Sequence, residues 1–146
     1  MLYNDPVGTS GWRDGWFVVD YDVIFRDLDP FGHVNNAVYL TYFELARTRL
    51  WFAITGGHAP GDISFIVARV ECDFRQQIEM EPISILVRVG EMRTTSFDFL
   101  YEIRKANNAL AATGRVIVVL YDWARKSKMP LDDDLRLKIR GFQGEG

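Results

Sequence analysis

Cysteine is almost missing from this chain: Cys72 is the single one among 146 residues. A lone thiol excludes an internal disulfide framework and any multi-cysteine zinc site. Histidine is nearly as scarce, with only His33 and His58. A dominant basic surface is lacking too, because the formal net charge is -3, whereas a general nucleic-acid binder needs the opposite sign. Arg125, Lys126 and Lys128 form the one basic cluster and read as solvated surface. No apolar run is long enough to span a bilayer, and Met1 to Asp14 hold no apolar stretch of signal-peptide type. The expectation is a cytoplasmic protein with no cofactor, no metal, no membrane and no nucleic-acid partner.

Apolar residues are plentiful instead, at 48%, and aromatics reach 14%. A chain of this length can bury a core without staples, and the surplus of rings suits an apolar ligand pocket or a subunit interface. No repeat, low-complexity tract or linker divides the sequence, so residues 1–146 read as one domain.

The residues around Gly8, Gly11 and Gly15 read as an irregular lead-in. From Trp16 to Phe25, Phe17, Val19, Tyr21, Val23 and Phe25 alternate as in a strand. The spacing then predicts one long helix from about Ala37 to Ile54, with Tyr39, Phe43, Ala46, Leu50 and Ala53 or Ile54 in one stripe. Asn35 or Asn36 can cap its start, and Gly56-Gly57 can end it. Leu40, Leu45, Trp51 and Phe52 make the opposite side partly apolar, which predicts burial on more than one side. Four further strands follow. The first alternates Ile66, Ala68, Val70, Cys72 and Phe74 against Arg69, Glu71, Asp73 and Arg75, which makes Cys72 a core thiol. The others carry Ile83 to Val89, Phe97 to Ile103 and Gly114 to Tyr121. Short polar connections at Gly90–Thr95 and Lys105–Asn108 suit antiparallel hairpins. A short helix closes the chain from Asp132 to Arg140, capped by Asp132 and stopped by Gly141. The layout is α+β: an antiparallel five-stranded sheet with one helix on a face. One helix leaves the other face or an edge for a second subunit.

Chemistry concentrates in the loop from Asp27 to Asn36. It places two carboxylates, a Gly, a His and two Asn between a strand and a helix start. Unpaired N–H groups and the positive dipole end there suit an oxygen that gains charge during acyl transfer. A carboxylate beside them can attack a carbonyl or draw a proton from water. The bland reading is a turn-forming Asp before Pro and a pair of capping Asn. A calcium loop is excluded, because Phe31 takes a ligand position and Val38 stands where the closing Glu belongs.

The run Phe25-Arg26-Asp27-Leu28-Asp29-Pro30-Phe31-Gly32-His33-Val34-Asn35-Asn36-Ala37-Val38-Tyr39, with Tyr42-Phe43-Glu44-Leu45-Ala46-Arg47 after it, resembles the signature of hotdog-fold thioesterases. The likeness is to the 4-hydroxybenzoyl-CoA thioesterase-like group; His33-Val34-Asn35-Asn36 also resembles plant acyl-carrier-protein thioesterases. Phe31 stands where those plant enzymes carry Asn, which favours CoA over a carrier protein. The resemblance implies a hotdog core over about residues 16–122, its sheet wrapped around one long central helix, with a short C-terminal extension. It also implies a homodimer or homotetramer.

By position, the resemblance makes Asp29 the catalytic carboxylate, as nucleophile or as base for water. It puts the carbonyl-polarising N–H at Asn36 and makes His33 an orienting residue. Gly32, Asn35 and Tyr39 would border the substrate. Arg93, Thr94, Thr95 and Ser96 would turn near the CoA phosphates, as a loop with Arg and hydroxyls can. Asp27 reads as a loop hydrogen-bonder, Glu44 as an ion-pair partner of Arg47 on the next turn, and His58 as exposed. The function expected is hydrolysis of an acyl-CoA thioester to acid and CoA. The rivals are a non-catalytic acyl-CoA-binding hotdog protein and an enoyl-CoA hydratase-like enzyme, whose spacing Phe31-Gly32 interrupts.

Overall fold

The computed structural model describes residues 7–144; the first six residues of the lead-in lie outside it. The chain runs β1 (Val7–Arg13), β2 (Trp16–Asp22), α1 (Asn36–Thr55), β3 (Phe65–Phe74), β4 (Pro82–Met92), β5 (Ser96–Arg104), β6 (Leu110–Asp122), β7 (Ser127–Lys128) and α2 (Asp133–Phe142). One antiparallel sheet takes the order β1-β2-β4-β5-β6-β3, with the short β7 added to β6. The sheet wraps α1, and this is the hotdog arrangement.

The strand count departs from the sequence reading: seven form among the described residues, not five. The lead-in is β1, paired to β2 with Arg13 opposite Trp16 across a two-residue turn. Asp14 and Gly15 both take positive φ, 51° and 83°, the mirror-type turn that matches strand twist and that Asp-Gly favours. β2 also stops earlier than expected, at Asp22. Asp27 donates its N–H to the Ile24 carbonyl (2.9 Å) and closes a short 3-10 turn at Phe25–Asp27, which leaves Phe25 exposed.

α1 behaves as its sequence implies. Asn35 is the cap, its side chain accepting the Ala37 N–H at 2.9 Å, and Gly56 ends the helix in the left-handed conformation. Tyr39, Phe43, Ala46, Leu50 and Ile54 are buried together with Trp51, while Leu40 is exposed. Phe43 stacks on Tyr101 with centroids 4.2 Å apart. This packing requires Gly114 on β6, since a Cβ there would stand 2.4 Å from the Phe43 ring. Trp51 stacks on Phe97 at 5.5 Å and meets Phe65 edge-on, so rings from α1, β3 and β5 fill the far end of the core.

β3 corrects the alternation. A bulge at Ala68 separates the pair Val67–Val118 from the pair Arg69–Ile117. An extra residue switches which side chains face inward. Val67, Val70, Cys72 and Phe74 therefore share the face of the buried residues across from them on β6, and Ile66 turns to the outer face. β3 is an edge strand: no strand pairs with its outer side among the described residues. Cys72 is accordingly half-buried rather than fully inside.

α2 begins at its Asp132 cap, as expected, and runs to Phe142, past Gly141. Gln143 follows it, and its buried side-chain amide bonds both the N–H (2.7 Å) and the carbonyl (3.1 Å) of Val89. That amide stands in for a neighbouring strand where β4 bulges before Met92.

Candidate active site

Asp29 is held by its own loop. One carboxylate oxygen, Oδ1, accepts the N–H of Phe31 (2.9 Å) and of His33 (3.2 Å). The Asp29 N–H donates to the His33 carbonyl at 2.8 Å, and Gly32 donates back to the Asp29 carbonyl at 3.1 Å. Gly32 makes this closure with φ of 83°, a conformation that any side chain would strain. The other oxygen, Oδ2, accepts no hydrogen bond among the described residues. It is the chemically available half of the carboxylate.

Asp27 has a different task. It is buried, and its Oδ2 accepts the hydroxyls of Tyr42 (2.8 Å) and Tyr21 (3.0 Å) as well as the Ile24 N–H (3.3 Å). Burial and the adjacent Asp27 carboxylate push the Tyr42 phenol well above its ordinary pKa. The Asp27 carbonyl also accepts the Asn35 N–H at 3.0 Å. This carboxylate thus pins the loop to β2 and α1 from below.

Above it, the start of α1 presents one uncommitted donor. Asn35 takes the Ala37 N–H with its side chain and the Val38 N–H with its carbonyl. The Asn36 N–H has no acceptor among the described residues and sits at the positive end of the helix dipole. Asp29, His33, Val34, Asn36 and Tyr39 line a cavity of about 170 Å³, closed by Phe74, Arg75, Gln76 and Gln77 from the end of β3. Tyr39 is buried, donates to the Gln76 carbonyl at 3.3 Å, and meets Phe74 edge-on at 4.9 Å. Burial raises the Tyr39 phenol pKa, so this wall is neutral.

Of the residues singled out in the sequence, Asp29, His33, Asn36 and Tyr39 come together around this cavity. Gly32 and Asn35 shape the loop and the cap without lining it. Arg93, Thr94, Thr95 and Ser96 form the β4–β5 turn at the other end of the sheet. The start of β4 lies beside the end of β2, where the Asp29 loop begins, and the length of β4 puts the turn roughly 30 Å away within one chain. Arg93 is also committed: its guanidinium bonds Asp98 and Ser96 (2.9 Å) and pairs with Glu91 (3.1 Å). Those carboxylates, Asp98 first, raise its pKa further.

Sequence reasoning misses Arg75, although its place between the β3 pattern and the Gln76-Gln77 turn marks it as a residue near a strand end. It lines the Asp29 cavity and makes no ion pair among the described residues. Glu44 and Arg47 pair as expected, loosely, at 3.7 Å, and His58 is exposed beside Asp62. Among the described residues, no group of three His, Cys, Asp or Glu could hold a metal ion, and no helix is long and apolar enough to cross a membrane.

A model of the thioesterase-like superfamily matches residues 23–139. A crystal structure of a thioesterase from Thermus thermophilus, complexed with coenzyme A and Zn, is 34% identical, covering 90% of this chain and 96% of that one with a TM-score of 0.79. A predicted thioesterase from Bacillus stearothermophilus, 23% identical, covers 87% and 96% with a TM-score of 0.81. A 1,4-dihydroxy-2-naphthoyl-CoA thioesterase from Synechocystis, 20% identical, covers 86% and 96% at 0.73. At these two lower identities the likeness is one of fold. An uncharacterized Bacillus subtilis protein, YsmA, is 26% identical over 74% of this chain and 75% of its own.

Proposed function

The chain belongs to the thioesterase-like superfamily, and we propose that it hydrolyses acyl-CoA thioesters with Asp29 as the working carboxylate. One observation carries this reading. Asp29 keeps one oxygen locked on two backbone N–H groups and the other free, in a cavity shared with His33 and the uncommitted Asn36 N–H.

The thioester carbonyl oxygen would lie on the Asn36 N–H, where the helix start stabilises the charge that develops on it. The free Asp29 oxygen then adds to the carbonyl carbon, or takes a proton from a water that adds instead, with His33 orienting that water. Collapse of the adduct breaks the C–S bond and releases CoA thiolate. In the first route, water afterwards cleaves the acyl–Asp29 anhydride; in the second, the acid leaves directly. Thiolate departs without much acid assistance, so a carboxylate and an oxyanion donor suffice.

The nucleotide half of CoA needs cations outside the cavity. Arg75 stands at its rim with a free guanidinium. The distant Arg93–Ser96 turn joins through a second copy. The exposed inner face of β3 carries Val67, Val70 and Phe74 along an unpaired edge, and such an edge pairs readily with another strand. Antiparallel pairing of two β3 edges would set the Phe65 end of one copy beside the Phe74 end of the other. Thr95 lies next to that Phe65 end, its carbonyl accepting the N–H of Leu120 across from Phe65. The proposed unit is a homodimer with the Asp29 cavity of one copy facing the β4–β5 turn of its partner. A cytoplasmic location goes with a CoA-linked substrate.

The test is release of free thiol from acyl-CoA esters, run beside an enoyl-CoA hydration assay. Thiol release with no hydration supports the reading. Tight acyl-CoA binding with no thiol release refutes it and leaves a binding protein. Light scattering at micromolar concentration should report two or four chains, and a fully active monomer would refute the shared site.

A further inference from the structure

A second cavity, of about 310 Å³, opens one helical turn beyond Asn36 and Tyr39, also between α1 and β3. Its walls are mostly apolar, from Leu40, Phe43, Val67, Val70 and Val116, with Thr41 the one uncharged polar residue. Its charged lining is Arg47 and Glu44. The Arg47 side chain is only 10% exposed, while that of Glu44 is 70% exposed.

A guanidinium carries five N–H donors. In Arg47 the nearest carboxylate oxygen is that of Glu44 at 3.7 Å, beyond hydrogen-bond distance. Its other polar neighbour is the Tyr101 hydroxyl, which is buried, lies within the Arg47 field and makes no hydrogen bond of ordinary geometry. One neutral hydroxyl leaves most of the five donors open. A buried cation with open donors is expensive to keep unless something fills them. Apolar walls ending on such a cation match a ligand that is apolar along its length and anionic at its end.

We propose that this cavity holds the far end of the acyl group and selects acyl chains that end in a carboxylate, bound by Arg47. The inference rests on the acyl-CoA reading above and deepens it. The length fits: Arg47 lies about 16 Å along the axis from the carbonyl site at Asn36, and its side chain leans back toward the helix start. A short acyl group stops before reaching it; an extended chain of medium length arrives. Glu44, at the mouth, competes weakly for the same guanidinium.

The experiment compares octanoyl-CoA with suberoyl-CoA, the chain of the same length ending in a carboxylate. The ratio of kcat/KM, suberoyl over octanoyl, should be about 10- to 100-fold, the worth of a charge-assisted hydrogen bond. Arg47→Met, which keeps the volume and removes the charge, should bring the ratio to one or below, and Arg47→Lys should restore part of it. Glu44→Gln, at an exposed position that folding tolerates, should raise the ratio. Titration with non-hydrolysable thioether analogues of both chains reads the same preference as a ratio of Kd. An enzyme that turned over neither ester would thus sink the hydrolase reading while the preference was still measured. A wild-type ratio near one in both assays overturns the proposal. So does an unchanged ratio in Arg47→Met, or a ratio of one combined with loss of the dimer in Arg47→Met, which would assign the cavity to the second copy.

Discussion

Replacing each of the two loop aspartates by asparagine tests the proposed split between chemistry and architecture, because the two carboxylates are bonded differently: Asp29 keeps one oxygen free, whereas Asp27 is buried under three donors. In Asp29→Asn the amide oxygen can keep both bonds from the Phe31 and His33 N–H groups, and only the free oxygen is lost. Loop and fold survive, while nucleophilicity and basicity vanish. Turnover should fall by about 10²–10⁴-fold, or roughly 3–5 kcal/mol of barrier, with Tm unchanged. In Asp27→Asn the order reverses. The buried oxygen that accepts from Tyr21, Tyr42 and Ile24 loses its charge, and charged acceptors hold such bonds about twice as strongly as neutral ones. The cost is about 1–3 kcal/mol, a Tm drop of roughly 3–10 °C for a chain of this size. Activity per folded molecule should change far less than in Asp29→Asn. The assays are thiol release at saturating substrate and thermal unfolding of the same preparations. Near-normal turnover in Asp29→Asn, or a larger turnover loss in Asp27→Asn at a temperature where it is fully folded, refutes the assignment.

Gly114→Ala places a Cβ 2.4 Å from the Phe43 ring; calorimetry should read a loss of about 1–3 kcal/mol, recovered in part by adding Phe43→Leu. Arg75→Ala should raise KM for CoA esters with little effect on kcat, the mark of lost uniform binding, and rising salt should erase the difference; an equal rise for a short pantetheine ester would move the nucleotide elsewhere. Arg93→Ala should raise KM too, through the β4–β5 turn that Arg93 braces, and constant KM would remove that turn from the site. Burial pushes the Cys72 thiol up to about 11, so thiolate forms only as pH rises toward that value; alkylation should be slow at neutral pH and accelerate in strong alkali, and fast labelling at neutral pH would contradict the packing of β3.

The helix and the polar loop before it were legible in the sequence because their determinants are local. Asn35 and Gly56 bound α1 through their own caps, and the bonds that shape Asp29 come from residues within four positions of it. What escaped depends on distant partners. β1 is a glycine-containing edge that becomes a strand only when β2 lies beside it, although Asp14-Gly15 was a hairpin signal in plain view. The Ala68 bulge is invisible to simple alternation, since nothing before pairing with β6 says which residue is extra. Arg75 has no motif around it. It becomes a cavity residue only because β3 ends opposite the start of α1.

The bonds that Asp29 itself makes close within the segment from Asp27 to Asn35, while Val34 anchors the loop to Ile78 and Asp27 anchors it to Tyr21 and Tyr42. By contrast, the walls of the larger cavity come from α1, β3 and β6 alone. On the proposed reading, chemistry and substrate choice sit on separately mutable parts of the chain. A lineage could then recut the larger cavity residue by residue while the Asp29 loop keeps its shape, which would let one fold accumulate many substrates without reinventing its reaction.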